Sequence, residues 1–506
     1  MRARHVSGTA LAAATLLLFL YIARFHEFWR DEAQTALIAR AVPLVDLLPT
    51  MRREAVPPVV FLVLKVVGVL PPPYSLAALG ALGFASLLFG TYQLLLTIGG
   101  SPMRSAIGSA AFALTDTYSY ELGVVVRQYG LGLGFALACV AYLGRAIVSN
   151  GRRDARWGSA FGALAVSTSV HPGCLAGSAL LAYSVERLIR KRTVRAVVEP
   201  LCALPAFLFT FFLVTSYDRA PEGVIVFHRR LSDALAKAGS CLLDGVLCRG
   251  WWTPQSDGAM KLGIIGLTGI GLLALAATQI PRMRRRPDLA AFYVATLVLN
   301  ALTLSYIFVV RYEGFYRHHL FAFAPVMVTA VGLILSPAEG RAFSPTPRVV
   351  AAAALVPWFV FQYWSAGTDL LGDIRGAFSG TKAAATVLPP GSRVVVAGND
   401  WMASGILYWR PDVSMRAQSS MGRPFRFLAA DWVWHQEVPL RPLLVEECRN
   451  VSDVYVARPV DAAPDDTRCT DHVLTPPSLL STERFTVLDL HCSCLAGLVA
   501  EVAHSE

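Results

Sequence analysis

The chain has 506 residues, of which 55% are hydrophobic and only 16% charged, and a formal net charge of +10. Soluble domains carry about a quarter charged residues, so this apolar excess excludes an ordinary soluble globular protein. Nor does the positive charge mark a nucleic-acid binder: its Arg clusters sit in short connections between apolar stretches, where membrane topology signals belong.

A membrane-crossing helix needs about 20 apolar residues. On that criterion about eleven spans are predicted, near 7–25, 75–98, 103–119, 128–148, 158–171, 174–187, 197–216, 260–280, 289–310, 319–336 and 349–365. The first follows Arg2 and Arg4 and reads as an uncleaved anchor, since no small-x-small cleavage site precedes Arg24. A cytoplasmic N-terminus puts Arg104, Arg145–Arg156, Arg187–Arg195, Arg282–Arg286 and Arg341–Arg348 all on the cytoplasmic side, as the positive-inside rule requires. Val56 to Leu70 is apolar but short and bracketed by prolines, so it reads as an interfacial or re-entrant helix within a first outer loop, 26–74. The Arg-rich, Ala-rich composition suggests a GC-rich bacterial genome, and the expected location is the bacterial inner membrane. The predicted organisation is mainly α: a transmembrane body over 1–368 and an extracytoplasmic α/β domain over 369–506.

Four polar clusters then share the outer side. Arg30-Asp31-Glu32 follows the first span. A carboxylate at membrane depth costs roughly 2.5–3.5 kcal/mol, so a retained pair suggests use, although a solvated loop balanced by Arg24 and Arg30 explains it as well. Glu54 precedes Pro57-Pro58, which starts the short helix. Glu121, Arg127 and Tyr129 flank the turn between two apolar helices, where an internal ion pair is the bland alternative. Arg317-His318-His319 suits an anionic phosphate, with anchoring to lipid headgroups as its alternative.

Phe28-Trp29-Arg30-Asp31-Glu32-Ala33-Gln34-Thr35, the following Ile38-Ala39-Arg40 and the Glu-x-x-Pro-Pro helix start resemble the GT-C glycosyltransferases, a superfamily that includes the protein O-mannosyltransferases and lipid A aminoarabinose transferases. The Tyr118–Leu131 run resembles a second motif region of the bacterial members, and Arg317–His319 is similar to the late outer loop of an uncharacterised bacterial branch. The resemblance implies a polyprenyl-phosphate-linked sugar donor and a glycan, lipid or protein acceptor. It gives Asp31 the role at the acceptor and Glu32 a supporting one. Arg30, Glu54, Glu121, Arg127, Tyr129, Arg317, His318 and His319 are the corresponding candidates for donor phosphate and substrate. Val56 or Pro57 stands where relatives often carry a His, which leaves a divalent metal possible but unassigned. The rival readings are a flippase for a lipid-linked glycan, which paired repeats and interrupted mid-membrane helices would favour, and a non-catalytic anchor for the C-terminal domain.

Of the nine cysteines, Cys139, Cys174 and Cys202 fall in predicted spans, and Cys241, Cys248, Cys448, Cys469, Cys492 and Cys494 on the outer side, where disulfides are permitted. Cys241–Cys248 is the simplest pairing in its loop, and the last four allow three connectivities. The C-terminal region reads as a helix near Gly376–Leu388, a strand at Arg393–Ala397, a helix at Trp401–Trp409 and strands at Asp453–Ala457 and Phe485–Leu490. Gly398-Asn399-Asp400 either contacts acceptor or caps the helix that follows.

Overall fold

The structure, a computed structural model, describes residues 30–48, 57–70, 74–99, 101–115, 128–191, 198–215, 258–310, 316–335, 346–376, 381–397, 401–419, 434–436, 440–459, 470–474 and 485–494, with a few isolated positions before residue 52. Two compact units emerge. The first comprises residues 1–21, 48–60 and 79–369; the second comprises 22–47, 61–78 and 370–506.

The helices in chain order are α1 (Arg30–Ala41), α2 (Pro58–Val67), α3 (Tyr74–Ile98), α4 (Pro102–Ala113), α5 (Gln128–Ser149), α6 (Arg152–Val166), α7 (Val170–Lys191), α8 (Val198–Leu201), α9 (Leu204–Thr215), α10 (Gly258–Arg285), α11 (Pro287–Val310), α12 (Tyr316–Leu335) and α13 (Thr346–Gly376). Among the described residues, Tyr74–Ile98, Tyr129–Ser149, Pro287–Tyr306 and Val349–Thr368 are long and apolar enough to cross a membrane. The spans predicted at 103–119, 158–171, 174–187, 197–216, 260–280 and 319–336 are helical where described but shorter or more charged. The span predicted at 7–25 lies almost wholly outside the described residues.

Small residues let the first unit's backbones approach closely, the usual solution where lipid supplies no hydrophobic drive between helices. Where α3 meets α5, a Cβ on Gly90 would sit 2.1 Å from the Gly134 carbonyl oxygen, and one on Gly134 would collide with the Ser86 backbone. Ser86 Oγ donates to the Leu131 carbonyl at 3.0 Å, and Ser109 Oγ of α4 to that of Leu88 at 2.9 Å. At the far end of α5, Arg145 Nη2 donates to Gln93 Oε1 at 2.8 Å and its guanidinium lies 3.9 Å from the Tyr142 ring centroid. Arg187, buried at 4% side-chain exposure, donates to Asn150 Oδ1 and to the Ala146 carbonyl and also faces Glu186. A buried guanidinium is costly unless carbonyls and amides take up its N–H groups, as Asn150 and Ala146 do for Arg187.

Pro325 lies inside α12 and has no N–H to give the Phe321 carbonyl four residues earlier. Asn300 of α11 fills the gap, its Nδ2 donating to the Phe321 oxygen at 2.9 Å from a side chain that is 1% exposed. An apolar surrounding makes this bond obligatory.

The second unit contains α14 (Thr381–Val387), β1 (Arg393–Val396), α15 (Trp401–Trp409), β2 (Ser414–Ser419), β3 (Trp434–Gln436), α16 (Leu440–Glu447), β4 (Asp453–Pro459), β5 (Thr470–Leu474) and β6 (Phe485–His491). The six-stranded sheet runs β3-β2-β1-β4-β6-β5; β1 to β4 are parallel, and β6 is antiparallel to both β4 and β5. Alternation along β1 divides the core. Val394 and Val396 face the layer of Ala384, Leu388, Ala403 and Ile406, while Val395 faces Leu444, Val454 and Leu490 on the other side. The predicted helix near Gly376–Leu388 and the elements at Arg393–Ala397, Trp401–Trp409, Asp453–Ala457 and Phe485–Leu490 are present. Strands β2, β3 and β5 were not foreseen, because Ser414–Ser419 and its companions carry too little apolar periodicity. Of the three connectivities open among the last four cysteines, the structure has Cys448–Cys492, and Cys494 is disulfide-bonded as well. Closing a loop of 44 residues is worth about 4 kcal/mol in the chain-entropy account. Cys139 and Cys174 are free and buried, whereas free Cys202 is exposed.

Arg410 ties the Pro389-Pro390-Gly391 turn to the entry of β2. Its guanidinium donates to the carbonyls of Ala385, Leu388 and Pro389 and to both Asp412 oxygens, while Asp412 Oδ2 also accepts from Gly391 N–H. The Arg410 bond and then the Gly391 N–H hold the Asp412 carboxyl well below the usual carboxylate range. A depressed native pKa adds stability that is fully present above the unfolded value of about 4 and is lost as pH falls below it. Thermal unfolding of the detergent-solubilised protein should therefore lose part of its acid sensitivity below pH 4 in Asp412→Asn, with a lower midpoint at pH 7. In the first unit, Asn300→Leu should cost about 1–3 kcal/mol by orphaning a buried carbonyl. The same change should cost less in a Pro325→Ala background, where residue 325 regains an N–H; equal costs in both backgrounds would show that the bond is not what Asn300 supplies.

Candidate active site

Two clusters carry the candidate chemistry, one in each unit. The first unit's cluster lies where α5, α7 and α12 begin. Tyr129 (6% exposed) meets Phe321 edge-on at 5.8 Å between ring centroids, and His171 (8% exposed) edge-on at 6.2 Å. His171 stacks on Phe321 at 5.7 Å and 21°, and its Nδ1 lies 3.4 Å from Ser169 Oγ. Edge-to-face and offset-stacked rings satisfy the aromatic quadrupole. The three rings thus join the beginnings of three helices. Arg317, His318 and His319 occupy the first turn of α12, immediately before Phe321. The structure therefore brings the beginning of α12 beside Tyr129, two segments some 190 residues apart in sequence. The side chains of Arg317, His318 and His319 lie outside the described residues, as do Glu54, Glu121 and Arg127 altogether.

The second cluster surrounds α1. Arg30, Asp31 and Glu32 form its first turn rather than a loop, and acidic groups there complement the helix dipole. The side chains of Arg30 and Asp31 lie outside the described residues. Glu32 is described and is buried at 1% exposure. Ala33, Ala36, Ile38 and Ala39 are buried with it, and Leu37 packs against the core of the α14–α15 layer. The far end of α1 is capped by Lys65 of α2, whose Nζ donates to the carbonyls of Ala39 at 2.8 Å and Val42 at 2.6 Å. A cation at a helix C-terminus meets orphan carbonyls and the negative dipole end together. That accounts for a lysine in an otherwise apolar short helix.

Sequence reasoning missed His171, Phe321, Asn300 and Lys65. Only Lys65 left a signal, as one of five lysines in the chain and the sole charge in its helix. Among the described residues no three His, Cys, Asp or Glu side chains converge as metal ligands. A cleft of about 490 Å³ lined by Arg152, Arg153, Arg156, Trp157 and Ala160 opens at the start of α6, beyond the opposite end of α5 from Tyr129. It offers cations and no base.

The chain matches no known family description and no curated protein. Solved structures do match. ArnT from Cupriavidus metallidurans in the apo state superposes with a TM-score of 0.56 and 13% identity, over 96% of this chain and 98% of that one. The same ArnT bound to undecaprenyl phosphate matches with a TM-score of 0.50 and 12% identity, over 95% and 97%. At such identities the likeness is one of architecture, and it spans nearly the full length of both proteins: the chain has an ArnT-like GT-C fold.

Proposed function

We propose that this protein is an inverting glycosyltransferase of the bacterial inner membrane, moving a sugar from a polyprenyl-phosphate donor to an extracytoplasmic glycan, lipid or protein acceptor. The observation that carries the reading is the full-length likeness to ArnT, one of whose structures holds undecaprenyl phosphate. Neither rival reading, flippase or inert anchor, has a comparable observation behind it.

The chemistry needs a base for the acceptor hydroxyl and cations for the departing phosphate. Burial of Glu32 favours Asp31 as the base, because a carboxylate only 1% exposed is badly placed to meet an acceptor. Arg127, Arg317, His318 and His319 are the proposed phosphate ligands, with Arg30, Glu54, Glu121 and Tyr129 completing the donor and acceptor contacts. Guanidinium binds phosphate bidentately, and His can both donate to it and carry charge. Attack on the face opposite the phosphate inverts the anomeric centre. The Cys448–Cys492 disulfide supports an oxidising, extracytoplasmic location for the C-terminal domain.

A deletion strain complemented with wild type should regain a sugar missing from its envelope glycans or lipids. Asp31→Asn, expressed at the same level, should restore less than about a hundredth of it, the low end of what general-base catalysis contributes; full restoration would remove Asp31 from the base role. For topology, a single cysteine placed at 284 should react with a membrane-impermeant maleimide only after the inner membrane is opened. Labelling of intact spheroplasts would invert the orientation.

A further inference from the structure

Tyr408 is a buried residue of the C-terminal domain that the proposed mechanism does not use. It is 0% exposed, near the end of α15, and α15 packs directly against α1. Its hydroxyl shares a hydrogen bond of 2.9 Å with Ser75 Oγ, itself 2% exposed. The Arg40 guanidinium of α1 lies 6.0 Å from its ring centroid. Burial pushes the phenol pKa up; the Ser75 bond, the Leu76 backbone and Arg40 pull it down, and the Glu32 charge pushes it up again. Groups at both ends of α1 therefore bear on one buried phenol, Glu32 in the first turn and Arg40 in the last.

A small-residue face on α1 makes this approach possible. Ala33, Ala36 and Ala39 recur at helical spacing and are all buried, so α1 presents little side-chain bulk of its own to its neighbours. Such a face packs closely but holds its register poorly, since alanines offer no interlocking shape. Polar bonds with a defined direction can set the register instead. Lys65 provides one at the C-terminal end of α1, and the Ser75–Tyr408 bond fixes the end of α15, the helix that packs against α1.

We propose that Tyr408 is a positioning residue for the Asp31–Glu32 turn: held by Ser75 and packed under α1, it sets the axial and rotational place of that helix, which makes the C-terminal domain a working part of the active site. The proposal rests on the transferase reading for its catalytic consequence, and on the geometry around α1 alone for its structural one. Tyr408 itself touches no reacting atom.

Tyr408→Phe removes one hydroxyl and keeps the ring, and Ser75→Ala removes its partner. Hydrogen–deuterium exchange on the full-length protein in nanodiscs should show faster exchange across 30–41 in either variant, with β1 and α14 unchanged and the melting temperature near that of wild type. The double variant should be no worse than the singles, because both delete the same bond. In the complemented deletion strain, sugar transfer should fall roughly tenfold, the equivalent of one buried hydrogen bond. Binding of undecaprenyl phosphate to the purified variants should stay as in wild type. Unchanged exchange over 30–41 would overturn the positioning role whatever the activity. So would a fall in exchange protection spread over the whole domain, which marks a general folding defect. Full transfer alongside loosened α1 would overturn the catalytic consequence. If wild type transfers no sugar, it is the transferase reading that fails, and the exchange data still decide whether Tyr408 positions α1.

Discussion

Inside a bilayer, each backbone polar group must find its partner within the protein, and the first unit is organised by that constraint. Helices meet it by default. Where proline breaks the ladder the debt is local, and it is settled by a named side chain: Pro325 frees the Phe321 carbonyl, and Asn300 takes it. The same carbonyl belongs to the residue whose ring gathers Tyr129 and His171. A backbone requirement in α12 thus also fixes the place where three helix starts converge, just beyond Arg317-His318-His319. At the far end of α5, Arg145 bonded to Gln93 and Arg187 bonded to Asn150 and the Ala146 carbonyl give the bundle a second polar anchor. Between the two ends, close glycine contacts such as Gly90–Gly134 leave packing to backbone proximity rather than to side-chain volume.

In the second unit the requirement is different. α1 carries a polar first turn and a face of alanines, a combination with little intrinsic hold on anything. Its stability comes from outside it, from Lys65 on its last carbonyls and from α15 beneath it. The parallel strands β1 to β4 supply a rigid base, with α14 and α15 on one face and α16 on the other. Loops over a cavity are poor supports for chemistry that tolerates little displacement, and a helix seated on a sheet-backed layer is a better one.

Much of the fold was legible because its signals are local. Apolar runs near membrane length, with the densest Arg clusters in alternate connections, declare a polytopic bundle without any knowledge of packing. The end of those runs near residue 366 announced a domain of different composition, and the Val394–Val396 strand after Pro-Pro-Gly was readable from β-branched residues and turn chemistry. Strand β2, SMRAQS, was not, because a strand held by parallel neighbours need not alternate. Nor could the sequence choose among three cysteine pairings, since connectivity depends on which Cα atoms the sheet brings together.

The candidate site divides in the same way. Asp31-Glu32 and Arg317–His319 stand out because ionisable residues beside membrane spans are costly and few. What the sequence determined was therefore a class: a multi-pass membrane protein of the helical-bundle kind with a small C-terminal sheet-containing region. Tertiary structure decided that Glu32 is enclosed, that Lys65 caps the helix bearing Asp31, and that Tyr129, His171 and Phe321 share a cluster. Each of these depends on contacts between residues far apart in the chain, and such contacts leave no period or spacing in the sequence from which to read them.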